Sequence, residues 1–170
     1  MKIRKNELRS DRVEWEHVVP ASGIGRGRAC WDTGHADCQK KSRKYCAKVD
    51  DEFITAYASP HNLFPSSGEL NGDRSSYPFG TVPGEVRIYG ACDFEVGGSP
   101  RVAEPPDGVR GEIARAMLYM IDTHGVSIWR DREELIRESK ADPPEGWEIR
   151  RARAIYERTG LWQHWILGPL

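Results

Sequence analysis

The strongest constraint on this chain is the order of two short β-prone runs and the helix behind them. Val13 to Val19 alternates β-branched and aromatic residues with polar ones and stops at Pro20, as a strand does. His61 to Phe64 reads as a second short strand ended by Pro65. Ser66 or Ser67 then caps a helix that runs to about Ser75. Strand, loop, strand and helix in that order predict a ββα unit inside an α+β fold.

The same two runs carry the polar residues that matter chemically. Glu16 stands directly beside His17, and a second cluster supplies His61, Asn62, Asn71 and Arg74. Neighbours on a regular strand point to opposite faces, so Glu16 and His17 serve one site only if the strand twists or ends there. Pro20 supplies an ending. Hydrolysing a phosphodiester needs a hard cation on oxygen ligands, a base for water and a positive charge for the phosphate. Glu16 offers an anionic oxygen, Asn71 a neutral one, and His17 a base. This sparse oxygen set suits Mg²⁺, which keeps several waters. His61 and Asn62 read as supports that hold the hairpin by hydrogen bonds.

Charge placement bears on the partner. The net charge is −1, but residues 1–50 hold 12 Lys or Arg against 7 Asp or Glu, while the rest of the 170 residues total −6. Phosphate binding depends on a local positive face, and this basic stretch contains Glu16 and His17. Nothing resembles a helix-turn-helix or zinc-finger reader, so contacts should run through phosphates with little base readout. No apolar run approaches a membrane span. The opening MKIRKNELRSDR has no apolar core after its basic residues, unlike an export signal.

Length favours one domain over residues 1–170, with the ββα motif at about 13–76 and a helical part at about 109–170. Ser22 to Lys48, with glycines at 23, 25, 27 and 34, reads as a long loop. Asp50 caps a short helix to Ala58. Thr81 to Pro106 is turn-rich with brief β runs. Val109 to His124 is the clearest helix, with Ile113, Met117, Leu118, Met120 and Ile121 on its apolar stripe and Gly125 as its stop. Arg130–Lys140 and Glu145–Thr159 are two more helices, and the Trp-rich tail packs back onto the domain. The even set Cys30, Cys38, Cys46 and Cys92 favours two disulfides stapling the loop. The spacing of Cys30, His35, Cys38 and Cys46 also permits a zinc site.

Four stretches carry a family resemblance: RKNELRSDRVEWEHVVPA, HNLFPSSGELNGDRSSY, YGACDFEV and RVAEPPDGVRGEIARAMLYM. With these the chain resembles the bacterial endonuclease I family, periplasmic or secreted non-specific nucleases of the ββα-metal (His-Me finger) superfamily. The likeness runs from about Lys2 to Met120 and thins beyond. It implies a ββα-metal core with added helices and long loops, His17 as general base, and Glu16 and Asn71 as the two protein ligands of one Mg²⁺, for which Ca²⁺ or Mn²⁺ can substitute. It also implies that Arg43 contacts the scissile phosphate, with Lys44 and Arg74 as further nucleic-acid contacts. Cys30, Cys46 and Cys92 have family counterparts, which favours disulfides over zinc. The implied partner is DNA or RNA, acted on by a periplasmic or secreted monomer that leaves 5′-phosphate ends. Family members begin with an export signal and a further cysteine-bearing segment. One departure is Tyr57, where many members carry a glutamate. Two other readings stay open: the nuclease domain of a secreted toxin or defence protein, and an inactive nucleic-acid-binding module. The intact Glu16, His17 and Asn71 argue against the second.

Overall fold

A computed structural model describes residues 2–3, 7–33, 43–84 and 86–170. In chain order the elements begin with α1 (Glu7–Ser10), β1 (Val13–His17), α2 (Ala21–Gly25), α3 (Ala29–Asp32), α4 (Arg43–Val49) and α5 (Asp51–Tyr57). A 3₁₀ turn at Pro60–Asn62 leads into β2 (Leu63–Ser67), α6 (Gly68–Arg74), β3 (Glu95–Gly97) and β4 (Val102–Glu104). The last part is helical: α7 (Arg110–His124), α8 (Arg132–Ala141), α9 (Gly146–Thr159) and α10 (His164–Leu167). This is a mixed helix and small-sheet, α+β architecture. The chain divides into two compact units, residues 1–16 with 64–110, and residues 17–63 with 111–170.

In the first unit β1 pairs with β2, and α6 follows β2 directly. Gly68 N donates to Arg12 O at 2.9 Å at the end of the ladder. The second strand begins two residues later than its sequence suggests and runs through Pro65. In a two-stranded sheet alternate N–H groups face away from the partner, so a proline there need not remove a ladder bond. Helix α6 lies so close to α1 that a Cβ on Gly68 would stand 2.4 Å from Arg9 O, which only glycine permits. The strands β3 and β4 form an antiparallel hairpin in the register Glu95–Glu104, Val96–Ala103 and Gly97–Val102. Phe79, Val82, Tyr89, Phe94 and Ala103 are the buried apolar residues of this unit.

In the second unit the predicted Ser22–Lys48 loop is partly helical. It contains α2, α3 and most of α4, although residues 34–42 lie outside the described set. Such short, glycine-bearing helices have little stability of their own and depend on tertiary packing. Here a Cys30–Cys46 disulfide joins α3 to α4, Arg28 pairs with Asp50 at 2.8 Å, and Ile24, Cys30, Cys46 and Phe53 are buried together. Asp50 caps α5 as expected, accepting from Phe53 N at 2.8 Å. Of the two expected disulfides one is present among the described residues. Cys92 is a free thiol on a turn of the other unit, and Cys38, with the His35 of the zinc alternative, lies outside the described residues.

The helices α7, α8 and α9 fall within a residue or two of the expected bounds. Helix α7 is buried over most of its surface and stops at Gly125, whose φ is +61°. Arg115 holds the three together. Its guanidinium makes two bonds to Glu148 of α9 at 2.7 and 2.6 Å and also donates to Ser139 O at the end of α8, with both charged side chains almost fully buried. This fork-to-fork geometry supplies the pairing that a buried charge requires. The tail returns as anticipated, with Trp165 Nε1 donating to Asp122 on α7 at 2.9 Å.

Candidate active site

The first unit gathers Glu14, Glu16, Asn71 and Arg74. Alternation along β1 puts Glu14 and Glu16 on one face, while Val13 and Trp15 are exposed. On α6, Asn71 and Arg74 are three residues apart and share a side. Arg74 Nη1 donates to Glu16 Oε1 at 2.5 Å, and Arg74 lies 4.5 Å from the Phe79 ring centre. Burial pushes the Glu16 carboxyl up to about 7, against the opposing pull of Arg74. The rise comes first from the loss of water around the buried carboxyl, which the single guanidinium only partly offsets.

Asn71 is oriented by a residue that its own neighbourhood in sequence does not reveal. Its Nδ2 donates to Glu14 Oε2 at 2.9 Å, and Arg9 grips the same carboxylate from the other side at 3.0 and 2.8 Å. The bond from Arg9 holds Glu14 below the usual carboxylate range, so Glu14 is ionised and only accepts. The amide end of Asn71 must therefore face Glu14, and Oδ1 is turned away as the oxygen for a ligand. Among the described residues no three His, Cys, Asp or Glu side chains cluster as a metal cage. The donors on hand are one buried carboxylate and one oriented amide oxygen, which fits a hard ion that keeps most of its water.

The second unit holds the other predicted residues. The His17 ring stacks on Tyr57 at 4.3 Å between centres, and His17 Nε2 lies 2.9 Å from Tyr57 O. A carbonyl can only accept, so Nε2 carries the proton and, in the neutral ring, Nδ1 is the basic nitrogen. Arg43, the first residue of α4, is exposed and places its guanidinium 5.9 Å from the same Tyr57 ring. The disulfide at Cys46, three residues on, anchors that helix. Lys44 is exposed beside it. Asn62 clamps the chain just past His17: its Oδ1 accepts from Val19 N at 2.7 Å, its Nδ2 donates to Val19 O at 3.0 Å, and its backbone O accepts from Val18 N. His61 donates from Nε2 to Leu161 O at 3.2 Å, and burial pushes its pKa down to about 4. Both residues thus spend their side chains on hydrogen bonds to backbone.

With this geometry in view, comparison with known proteins is decisive. The family model for Endonuclease I matches residues 3–166. The chain belongs to the endonuclease I family. Its relatives include an extracellular deoxyribonuclease of Aeromonas hydrophila, 40% identical over 159 residues, covering 92% of this chain and 66% of that protein. A periplasmic deoxyribonuclease of the same organism is 39% identical (92% and 64% covered). Endonuclease-1 of Buchnera aphidicola subsp. Acyrthosiphon pisum (strain APS) is 36% identical (94% and 61% covered). The chain thus spans less than two thirds of the length of these relatives. The match also extends well past Met120, further than the four resembling stretches reach.

Set against that family, two assignments change. Arg74 is not a surface phosphate contact: it is 2% exposed and committed to Glu16. Tyr57 matters through a backbone atom, since its carbonyl holds His17, and a carbonyl leaves no signature in side-chain identity. Glu14 was findable, because it lies two residues from Glu16 on the same strand face.

Proposed function

We propose that this chain is an endonuclease that hydrolyses DNA phosphodiester bonds with one divalent cation, Mg²⁺ by preference. The observation that carries the reading is the oriented oxygen donor of the first unit, and the held ring of His17 in the second unit supports it. His17 is held through Nε2 with Nδ1 basic, and Asn71 is held through Nδ2 with Oδ1 turned away. The β1–β2–α6 order supports a ββα-metal core.

In this mechanism Glu16 and Asn71 would hold the cation, which when bound supplies Lewis acidity and charge for the leaving oxygen. His17 Nδ1 takes the proton of the attacking water, and the charge that forms on the ring is eased by the Nε2–H bond to Tyr57 O. Water oxygen bonds to phosphorus as the bond to O3′ breaks, leaving a 5′-phosphate and a 3′ oxyanion that takes a proton from solvent water to become the 3′-hydroxyl. Arg43 meets the negative charge of the phosphate. Tyr57, in place of a family carboxylate, leaves this orientation intact because its backbone oxygen does the holding.

Two relatives are named for extracellular and periplasmic locations, and we extend that to this chain. The Cys30–Cys46 disulfide accords with an oxidising compartment. No described helix is long and apolar enough to cross a membrane. The test is supercoiled plasmid with Mg²⁺, with EDTA, and with EDTA followed by excess Mg²⁺. Nicking, its loss and its return are expected. Nicking that persists in EDTA would defeat the metal-dependent reading.

A further inference from the structure

We infer that the outer face of α9 is a second contact for duplex DNA, gripping backbone phosphates apart from the bond being cut. The inference rests on the nuclease reading. Helix α9 carries Arg150, Arg151, Arg153 and Arg158 against Glu148 and Glu157, in a part of the chain that is otherwise acidic. Its inward positions are committed. Glu148 and Ala152 are buried, and Glu148 holds both ends of the Arg115 fork. Arg151 donates to Pro60 O and, at 2.7 Å, to Leu63 O.

Arg150, Arg153 and Arg158 are left on the outside. All three are exposed, and among the described residues none has an ion-pair partner. Around the neighbouring α8, Arg130 is taken up by Glu134 and Glu138 and Arg132 by Asp122, while Arg137, like the three on α9, is exposed with no ion-pair partner among the described residues. At about 100° per residue the three outer arginines fall in a sector of roughly 140°, which Trp147 and Glu157 share. From Arg150 to Arg158 the helix rises about 12 Å. One DNA strand presents a phosphate every ~3.4 Å of axis, so such a face meets several of them.

The face is also fixed relative to the base. Arg151 grips the backbone on both sides of His61 and Asn62, and Asn62 in turn clamps Val18 and Val19, the residues after His17. The buried Arg115–Glu148 pair stops α9 from rolling. The occupant is a rigid polyanion rather than an anionic membrane. A membrane-surface helix needs a continuous exposed apolar face beside its basic one, whereas Ile149, Ala152 and Ile155 of α9 are turned inward, and its exposed aromatics, Trp147 and Tyr156, lie on opposite sides of the helix, about 180° apart.

The test uses the full chain and fluorescence anisotropy on a 30-base-pair duplex in Ca²⁺, over a salt series. The triple variant Arg150→Ala, Arg153→Ala, Arg158→Ala should lower the slope of log K against log salt by about 2–3, near 0.9 for each phosphate no longer neutralised. The triple Arg→Lys variant should restore it, because a phosphate contact needs charge more than shape. An unchanged slope in the alanine variant, with circular dichroism showing a native fold, would overturn the inference. So would a variant that loses binding only to anionic phospholipid vesicles. Wild-type protein that neither binds the duplex nor nicks plasmid would overturn the nuclease reading and this inference together. Wild type that does both beside an unaffected alanine variant would overturn only the role of α9.

Discussion

Removing Glu14 isolates the orientation of Asn71 from the chemistry itself. In Glu14→Ala the carboxylate that accepts from Asn71 Nδ2 at 2.9 Å is gone, and the amide loses what distinguishes its two ends. Partners of this kind, one shell out from a metal, typically change metal affinity ~10–100-fold when removed. The Mg²⁺ midpoint of plasmid nicking should therefore rise by about that factor, equivalent to roughly 1.4–2.8 kcal/mol. The rate at saturating Mg²⁺ should stay within a few-fold, since His17 and Arg43 are untouched. Stability should barely move. Arg9 and Glu14 are part-exposed at 37% and 25%, and such pairs contribute ~0–1 kcal/mol, so Tm should fall by at most about 2–4 °C for a chain of this size. Glu14→Gln, which keeps an acceptor but loses the charge, should fall between. A Mg²⁺ midpoint unchanged in Glu14→Ala, at an unchanged saturating rate, would refute the claim that Glu14 orients a metal ligand.

Two further outcomes are expected from the fold. The Cys30–Cys46 disulfide closes a loop of 16 residues, so Cys30→Ser/Cys46→Ser should lower stability by ~3 kcal/mol in urea denaturation and weaken nicking through the displaced Arg43; an unchanged midpoint would contradict the staple. His61 is held down to about 4, whereas the unfolded chain protonates near ~6.5, so the unfolded state binds more protons between those values. Stability carried by neutral His61 is thus present above ~6.5 and lost as pH falls toward 4, by at most ~3 kcal/mol. The difference in Tm between wild type and His61→Gln, scanned from pH 7 to 4.5, should shrink on acidification. A constant difference would show that the ring does not titrate this way.

Much of this arrangement could be read from the chain, and the parts that could not share a cause. Strand β1 was legible because alternation and Pro20 both point the same way, and α7, α8 and α9 because caps and stops bracket a helical period. Helices α2, α3 and α4 were not, since their stability comes from a disulfide and from Phe53 packing rather than from propensity. The start of β2 was displaced by a 3₁₀ turn that has no distinct pattern. Among the candidate residues, residue types pointed to Glu16, His17 and Asn71, and the family resemblance to Arg43. What orients them was hidden: a strand neighbour for Asn71, a backbone carbonyl for His17, and burial that turned Arg74 from a surface cation into the partner of Glu16.

The central claim, that His17 is the base of a metal-dependent phosphodiester hydrolysis, is tested most directly by the rate of plasmid nicking by His17→Ala. It should be measured against wild type at saturating Mg²⁺ and matched folded concentration. Loss of a general base costs ~10²–10⁴ in rate, and the account predicts a fall in that range with Mg²⁺ affinity retained. A variant that nicks within a few-fold of wild type would contradict it.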